Sequence, residues 1–364
     1  MVDGLSLKEL NRATLARQML LARERTPVLE AVERLAGLQA QLARPPFVGL
    51  WSRVAGFRPE HLTRLAHDRK VVRATLMRCT LHLLSTRDYV AWRPLFQPML
   101  TAAMHGVLRH RAREIDLEGL KATARACVDA RAQTFEELRA VIGRSYPDID
   151  ARALGFAVRT HLPLVQVPTE APWAWPGAAA FAAAETWIGQ PIGATGNPRA
   201  LVLRYLGAFG PASVRDAVMW SGVRELEEPF EALRPRLKVF RDEKGRELFD
   251  LPKAPRPPAR TPAPVRFLPD YDNLLLAHAD RARVISDDHR RRVATANLRI
   301  LATFLVDGRV SGTWTIERAR TSAVLLLEPF VAVSRQARRE LAEEGRALVG
   351  FAEPDSKTTD VRFV

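Results

Sequence analysis

Two glutamines two residues apart, Gln39 and Gln41, stand where the surrounding pattern asks for apolar side chains. Upstream, Val28, Val32, Leu35, Leu38 and Leu42 recur at three- and four-residue spacing, which predicts one helical face turned towards a core. Pro45 and Pro46 close that pattern, because the residue before a proline is pushed out of the α region. The helix is therefore expected to end by Arg44, with Gln41 in its last turn. Positions two apart diverge by about 200° on a regular helix but share a face in extended backbone, so a joint role for the two amides requires the helix to break. A neutral amide can orient a water molecule through its carbonyl oxygen and donate through its NH2. The competing reading is that both side chains satisfy orphan carbonyls at a helix end.

Asp270 and Asp272 form a second candidate pair, in a segment that Pro269 holds extended. Two such carboxylates suit a general base, but Asp beside Asn and Pro more commonly ties a turn, and the turn is the expectation here. Other chemistries lack residues. Only Cys79 and Cys127 occur, without Cys-x-x-Cys or paired histidines at ligand spacing, so neither a disulfide scaffold nor a metal site is expected, and both thiols should be buried or half-buried. No phosphate-cradling glycine motif and no Gly-x-Ser-x-Gly elbow is present, and no cofactor is expected.

Lys and Arg total 55 against 41 acidic residues, a net charge of +14, which favours a polyanionic partner, nucleic acid first and a membrane surface second. The first residues lack the apolar core of a signal peptide, and the bland run 178–184 is too short to span a bilayer, so a cytoplasmic protein is expected. At 364 residues the chain should form two or more packed units.

Ser6 should cap a first helix with Arg12, Arg17, Arg23 and Arg25 turned outward. Helices follow around 47–56 and 59–67, then a two-stranded hairpin at 71–77 and 80–84, the element order of a winged helix. A long helix is expected over 88–110, kinked or stepped by Pro94 and Pro98. The order then recurs: helices at 117–130, after the Thr134/Glu137 capping box and from Pro147 to His161, and a strand at 164–167. Trp173, Trp175 and Pro176 mark an irregular loop expected to pack against a neighbour. The third recurrence has helices after Asn197 and Ser213 and a wing turning at Lys244-Gly245. Its recognition position, 224–234, carries Glu225, Glu227, Glu228 and Glu231, which would repel a phosphate ladder, so this unit is expected to be scaffolding. Six prolines between 252 and 264 form a stiff linker. Beyond it, strands at 298–306 and 309–316 turn at Asp307-Gly308, with another strand at 323–327, a helix at 335–348 and a closing strand at 361–363.

Residues 10–21, the Gly-Leu-Gln-Ala-Gln at 37–41, Val-Gly-Leu-Trp at 48–51, 76–83, 269–281 and 304–314 together resemble a bacterial winged-helix family that contains an azinomycin-resistance DNA glycosylase, an enzyme that unhooks interstrand crosslinks. The resemblance covers nearly the whole chain. The family's mark, Gln-aliphatic-Gln, is similar to Gln39-Ala40-Gln41, whereas related branches carry Gln-x-Asp. It implies an α+β fold: three tandem winged-helix units in a C shape, at 1–112, 113–195 and 196–255, braced by a β-barrel-like domain at 256–364. It also implies Gln39 and Gln41 as the catalytic, water-handling pair.

For DNA alkylated at guanine N7 the purine already carries a positive charge, so departure of the base needs little acid catalysis. Holding a water and stabilising the oxocarbenium-like centre then suffice, and an amide pair suits that task. The expected reaction is hydrolysis of bulky N7-alkylguanine adducts by a monofunctional glycosylase, since no lysine stands in a setting that would make it a Schiff-base nucleophile. The partner is double-stranded DNA carrying the alkylated guanine, and the enzyme is expected to act as a monomer in repair or self-resistance. Arg44, Arg53, Arg73 and Arg78 near the glutamines, with His278, Arg281, Arg283, Arg290 and Arg291, are the expected DNA contacts. The rival readings are a non-catalytic winged-helix DNA-binding regulator and a drug-sequestering protein.

Overall fold

The computed structural model describes residues 4–109 and 115–364. His110, the last residue of the expected long helix, and the expected unit boundary at 112 fall outside them. After the short strand β1 (Gly4–Leu5), Ser6 caps α1 (Leu7–Arg17) as expected, and does so in a reciprocal capping box with Glu9. Arg12 and Arg17 do not turn outward. Arg17 is buried against Asp250 at 2.7 Å, and Arg12 is buried against Asp307 and the Thr261 carbonyl. The reason is that α1 lies between the third hairpin and the C-terminal sheet, so both its flanks are covered and each guanidinium needs an internal partner.

The expected glutamine helix breaks early. α2 (Val28–Arg34) stops at Arg34 rather than by Arg44, because Ala36 and Gly37 adopt φ of 55° and 82° and reverse the chain. A side chain at Gly37 would meet the Leu83 carbonyl at 3.0 Å in a left-handed conformation, so the turn requires glycine. The chain emerges as β2 (Leu38–Gln39), and Leu42, assigned to the core face by its spacing, is 47 % exposed. Next come α3 (Pro45–Trp51), α4 (Pro59–His67) and the hairpin β3 (Val71–Thr75) with β4 (Leu81–Ser85). α5 (Thr86–Leu108) continues through both of its prolines.

The sequence of helices and then a hairpin is repeated by α6 (Leu117–Ala130), β5 (Gln133–Thr134), α7 (Phe135–Ser145), α8 (Ala151–His161), β6 (Leu164–Gln166) and β7 (Ala180–Ala183). The first two hairpins merge. β3 pairs with β6 at Ala74 and Val165, giving a six-stranded sheet in the order β2-β4-β3-β6-β7-β5. Trp175 is buried under the intervening loop and Trp173 meets Phe47 edge-on at 5.1 Å, the packing role expected of that loop. After α9 (Ala184–Ile188), the third repetition comprises α10 (Pro198–Phe209), α11 (Val214–Ser221), α12 (Glu227–Leu233) and the hairpin β8 (Lys238–Asp242) with β9 (Glu247–Asp250). β1 adds to this hairpin in parallel, a pairing that nothing local in the sequence signals.

Beyond the proline-rich linker lie β10 (Arg266–Leu268), α13 (Asp287–Val293), β11 (Thr303–Val306), β12 (Arg309–Arg318), β13 (Ser322–Pro329), α14 (Arg335–Ala352) and β14 (Thr358–Phe363). The strand expected from 298 starts only at Thr303. Ala294 bridges Ile300, so Leu298 sits on a turn with φ of 58° and is 85 % exposed. The sheet runs β10-β11-β12-β13-β14 and does not close into a barrel among the described strands. α14 carries the chain from β13 to a parallel partner, β14, and packs against β10, β13 and β14, so a helix covers the face that a barrel would enclose.

Candidate functional site

β2 pairs with β4 through Leu38 and Leu83 and through Gln39 and His82, and the Ala40 N–H donates to the Leu81 carbonyl at 2.7 Å. Gln39 therefore lies on β2 and Gln41 in the bend that follows it, outside any helix. Gln39 is 7 % exposed and Gln41 is exposed, so neither is lost in the hydrophobic interior. Each amide is oriented by a fixed donor. The Gln39 Oε1 accepts from the Arg78 Nη2 at 2.8 Å, and the Gln41 Oε1 accepts from the Leu81 N–H at 3.2 Å. Because both partners can only donate, the carbonyl ends are assigned and the NH2 groups face away. Among the described residues no acceptor takes either NH2 group, and each carbonyl oxygen keeps a second lone pair. The pair can thus hold a water by accepting from it and donate to a neighbouring oxygen.

Arg78 sits in the β3–β4 turn with φ of 53°, and its other Nη donates to the Trp220 carbonyl in the last turn of α11. A helix C-terminus is a favourable seat for a cation. Burial, and then the charge of nearby Arg281, pushes the Arg78 guanidinium down to about 10, still cationic at neutral pH. Burial and then Arg78 push His82 down to about 3, so its imidazole is neutral. A proton on Nδ1, 3.1 Å from the Thr80 carbonyl, leaves Nε2 as a lone pair 3.5 Å from Arg78. A neutral His82 cannot serve as a general acid here.

Arg73 was expected on DNA but is buried, and it donates to the carbonyls of Ala40 at 2.8 Å and Gln41 at 3.3 Å. It positions the glutamine segment, and its desolvation draws the guanidinium down to about 10. Arg53 is likewise removed from the DNA contacts, being buried in a two-bond pair with Asp272 at 2.8 and 2.9 Å. His278 is buried against the Phe209 carbonyl at 3.0 Å, and Arg283 is buried against the Pro211 carbonyl at 2.9 Å. All four lie in seams between elements that the sequence places far apart, where a polar group without a partner costs about 1–3 kcal/mol or more, so each is consumed internally.

Arg44 is half-buried and pairs with Glu353 at 3.2 Å. Arg281 is half-buried, and among the described residues neither it nor Arg78 pairs with a carboxylate. Arg290 and Arg291 are exposed on α13, each beside an aspartate three residues earlier. Burial and then the charge of Arg290 lower the proton affinity of Arg281, as burial and then Arg281 do for Arg78, so the three cations lie in a run leading away from Gln39.

Sequence reasoning missed the donors and clamps. The Leu81 N–H and the Trp220 carbonyl carry no side-chain signal at all. Asn273, read only as part of a turn, donates to the Gly37 carbonyl at 2.7 Å and so ties the reversal before β2 to the C-terminal half. Asp272 does close its turn, accepting from the Leu274 N–H at 3.0 Å, while Asp270 pairs with Arg299 at 2.7 Å. Both oxygens of Asp272 are taken by Arg53, whereas Asp270 accepts from Arg299 through Oδ1 alone. Cys79 and Cys127 are half-buried and unpaired, and no cluster of three metal-ligating side chains exists among the described residues. Two cavities flank the glutamine segment, one walled by Leu42 and Arg44 and the other by Leu81 and Gln166, and neither is lined by Gln39 or Gln41. A larger cavity of about 920 Å3 lies away from them, between α2, α10 and the proline-rich linker.

A model of the family described as DNA glycosylase AlkZ-like matches residues 32–351. An interstrand DNA cross-link repair glycosylase of Streptomyces sahachiroi is 26 % identical over 350 residues, covering 86 % of this chain and 88 % of that protein. The solved structure of Streptomyces sahachiroi DNA glycosylase AlkZ superposes with a TM-score of 0.79 over 99 % of this chain and 100 % of the other, at 21 % identity, and so shares its fold. The glutamine strand, its clamps and the span of the match converge: the chain belongs to the AlkZ-like DNA glycosylase family.

Proposed function

We propose that this protein is a monofunctional DNA glycosylase that hydrolyses the N-glycosidic bond of bulky N7-alkylguanine adducts and unhooks interstrand crosslinks, in DNA repair or in self-resistance to a genotoxic natural product. The observation that carries the reading is the pair of uncharged amides, Gln39 at the end of β2 and Gln41 in the bend after it, each with its carbonyl fixed and its NH2 free, beside a desolvated arginine. Three winged-helix units in a C-shaped arrangement suit a lesion that is tethered to the opposite strand and cannot swing freely into a closed pocket.

In this reaction the bond between C1′ and N9 breaks and its electron pair returns to the purine, discharging the cation that alkylation created. A water held by Gln39 and Gln41 attacks C1′, forms the C1′–O bond and gives its proton to solvent. The products are a neutral alkylated guanine and an abasic site. Arg78, fixed 2.8 Å behind the Gln39 carbonyl, holds that amide in one orientation towards the attacking water. An unactivated base lacks the internal cation, so ordinary deoxyuridine is not a substrate. Arg281, Arg290 and Arg291, which keep solvent exposure, supply phosphate contacts.

The protein is read as a monomer acting on double-stranded DNA in the cytoplasm; no helix among the described residues is long and apolar enough to cross a membrane. The test is a panel of duplexes carrying N7-alkylguanines, incubated with the protein and then heated in alkali to reveal abasic sites. The doubly substituted Gln39→Ala, Gln41→Ala protein should lose about 100-fold or more of the excision rate, as expected for removing preorganised polar groups. Full excision by that variant rejects the glutamines' role. Lesion-independent, salt-sensitive binding without any abasic product favours a DNA-binding regulator instead.

A further inference from the structure

Cations reach the β3–β4 turn from two distant parts of the chain. Arg281 lies beside Arg78. Burial pushes the thiol of the next residue, Cys79, up, and the guanidinium of Arg159 on α8, beside it, works against that rise. Here the first repetition meets the second at a cavity of about 360 Å3, lined by Leu81, Arg139, Arg159 and Gln166. Leu81 is the residue whose N–H fixes the Gln41 carbonyl. Gly155 brings the cations together, because a Cβ there would meet the Phe135 ring at 2.8 Å and the Arg139 Cδ at 2.9 Å. The stem of Arg139 therefore lies on α8, and Arg159 follows Gly155 by one helical turn. Both arginines are half-buried, and neither is paired with a carboxylate among the described residues. Arg139 gives its Nε to the Phe135 carbonyl at 3.3 Å and keeps its Nη groups. Gln166 is 7 % exposed, and its amide has no partner among the described residues, so its NH2 is a further donor. Among the described residues lining the cavity Glu136 is the one carboxylate, and it is exposed, so water and salt screen it. Two like charges held at one half-buried wall repel each other, and an anion between them removes that cost.

We infer that this cavity takes one phosphodiester of the DNA backbone, clamped between Arg139 and Arg159, while Gln39 and Gln41 address a sugar nearby. The inference rests on the glycosylase reading above and adds a contact that no motif in the sequence signals. Phosphate oxygens match the donor fork of a guanidinium, and two forks fix the strand as well as attract it. Such a contact sets position without reading bases, which suits an enzyme whose target is defined by the lesion.

The binding probe is a duplex carrying one N7-benzylguanine on a 2′-fluoro sugar, which resists loss of the base. Uncharged methylphosphonates replace its linkages one at a time on both strands around the lesion. Wild type should lose about tenfold in affinity at one linkage whose replacement Arg139→Gln, Arg159→Gln tolerates. For that variant the slope of log affinity against log salt should also be shallower by about 1. Arg139→Lys, Arg159→Lys keeps both charges and should restore the sensitivity. No carboxylate is orphaned in either variant, and an unchanged unfolding temperature reports that each is folded. A double glutamine variant that keeps the wild-type pattern of sensitive linkages, or the wild-type salt slope, overturns the clamp and leaves the glycosylase intact. Release of benzylguanine from the ordinary deoxyribose duplex is measured alongside. Its absence with the wild-type protein overturns the glycosylase reading, and this inference with it.

Discussion

Gln39 with Gln41 and Asp270 with Asp272 are two polar pairs of identical spacing, yet their fates are opposite. Asp272 is bound by Arg53 with both partners fully buried, and Asp270 by Arg299. The amides keep their NH2 groups free. The difference follows from charge. A carboxylate taken from water must be paired, and its partner then occupies the oxygens that chemistry would need, whereas an amide is satisfied by one or two hydrogen bonds and keeps capacity to spare. The aspartates became part of the frame, and the glutamines kept unpaired donors.

That contrast is most severely tested at Asp272. Asp272→Ala leaves the Arg53 guanidinium buried and unpaired, and should destabilise the protein by about 3–5 kcal/mol. Thermal unfolding would show it, and a shift as small as that of an exposed pair would mean that the carboxylate is not part of the frame. A smaller effect is expected for Asn273→Ala, which cuts the tie to Gly37. It should cost about 1 kcal/mol in unfolding free energy but lower kcat more than it raises KM, because β2 loses its anchor. Unchanged kcat would show that the turn holds without Asn273.

Acid provides a third test. The buried imidazoles of His82 and His278 have proton affinities pushed below the ordinary value of 6.5 by burial, so unfolding takes up protons at low pH. Their contribution to stability is fully present above pH 6.5 and is lost as pH falls from there towards about 3, which a urea titration across that window would follow. Excision should not follow it. With His82 held near 3 and Arg78 near 10, no group at the glutamine strand titrates in between, and the rate on a cationic lesion should be flat from about pH 5 to about pH 9 wherever the protein stays folded. A bell-shaped profile centred near neutrality would point to an acid or base outside the amide pair. The smallest effect is expected at the other aspartate. Asp270→Asn breaks a pair whose arginine is half exposed to solvent, and should change stability by less than about 1 kcal/mol. A loss comparable to that of Asp272→Ala would erase the distinction between the two carboxylates.

Much of the frame could be read from local chemistry. The cap at Ser6, the capping boxes at Thr134 and Ser213, the helix at Leu117–Ala130 and the turn at Asp307-Gly308 depend on residues a few positions apart, and each appears where its spacing placed it. The identity of the amide pair was also legible, because polar residues interrupting an apolar pattern stand out. Its setting was not. A helix was expected through Arg44, and nothing local distinguishes Gly37 as a reversal from Gly37 as a weak helical residue until β4 lies beside it.

The arginines mark the boundary between the two kinds of information. Sequence alone determined that the chain is rich in positive charge and that several cations fall near the glutamines. Only the tertiary structure decided that Arg12, Arg17, Arg53, Arg73 and Arg283 face inward while Arg281 stays half-exposed and Arg290 and Arg291 exposed. Caps and turns act over one helical turn and are written in the residues that make them. Whether a cation meets water or a carboxylate depends on which distant element is laid across it, and the desolvation penalty then enforces the pairing.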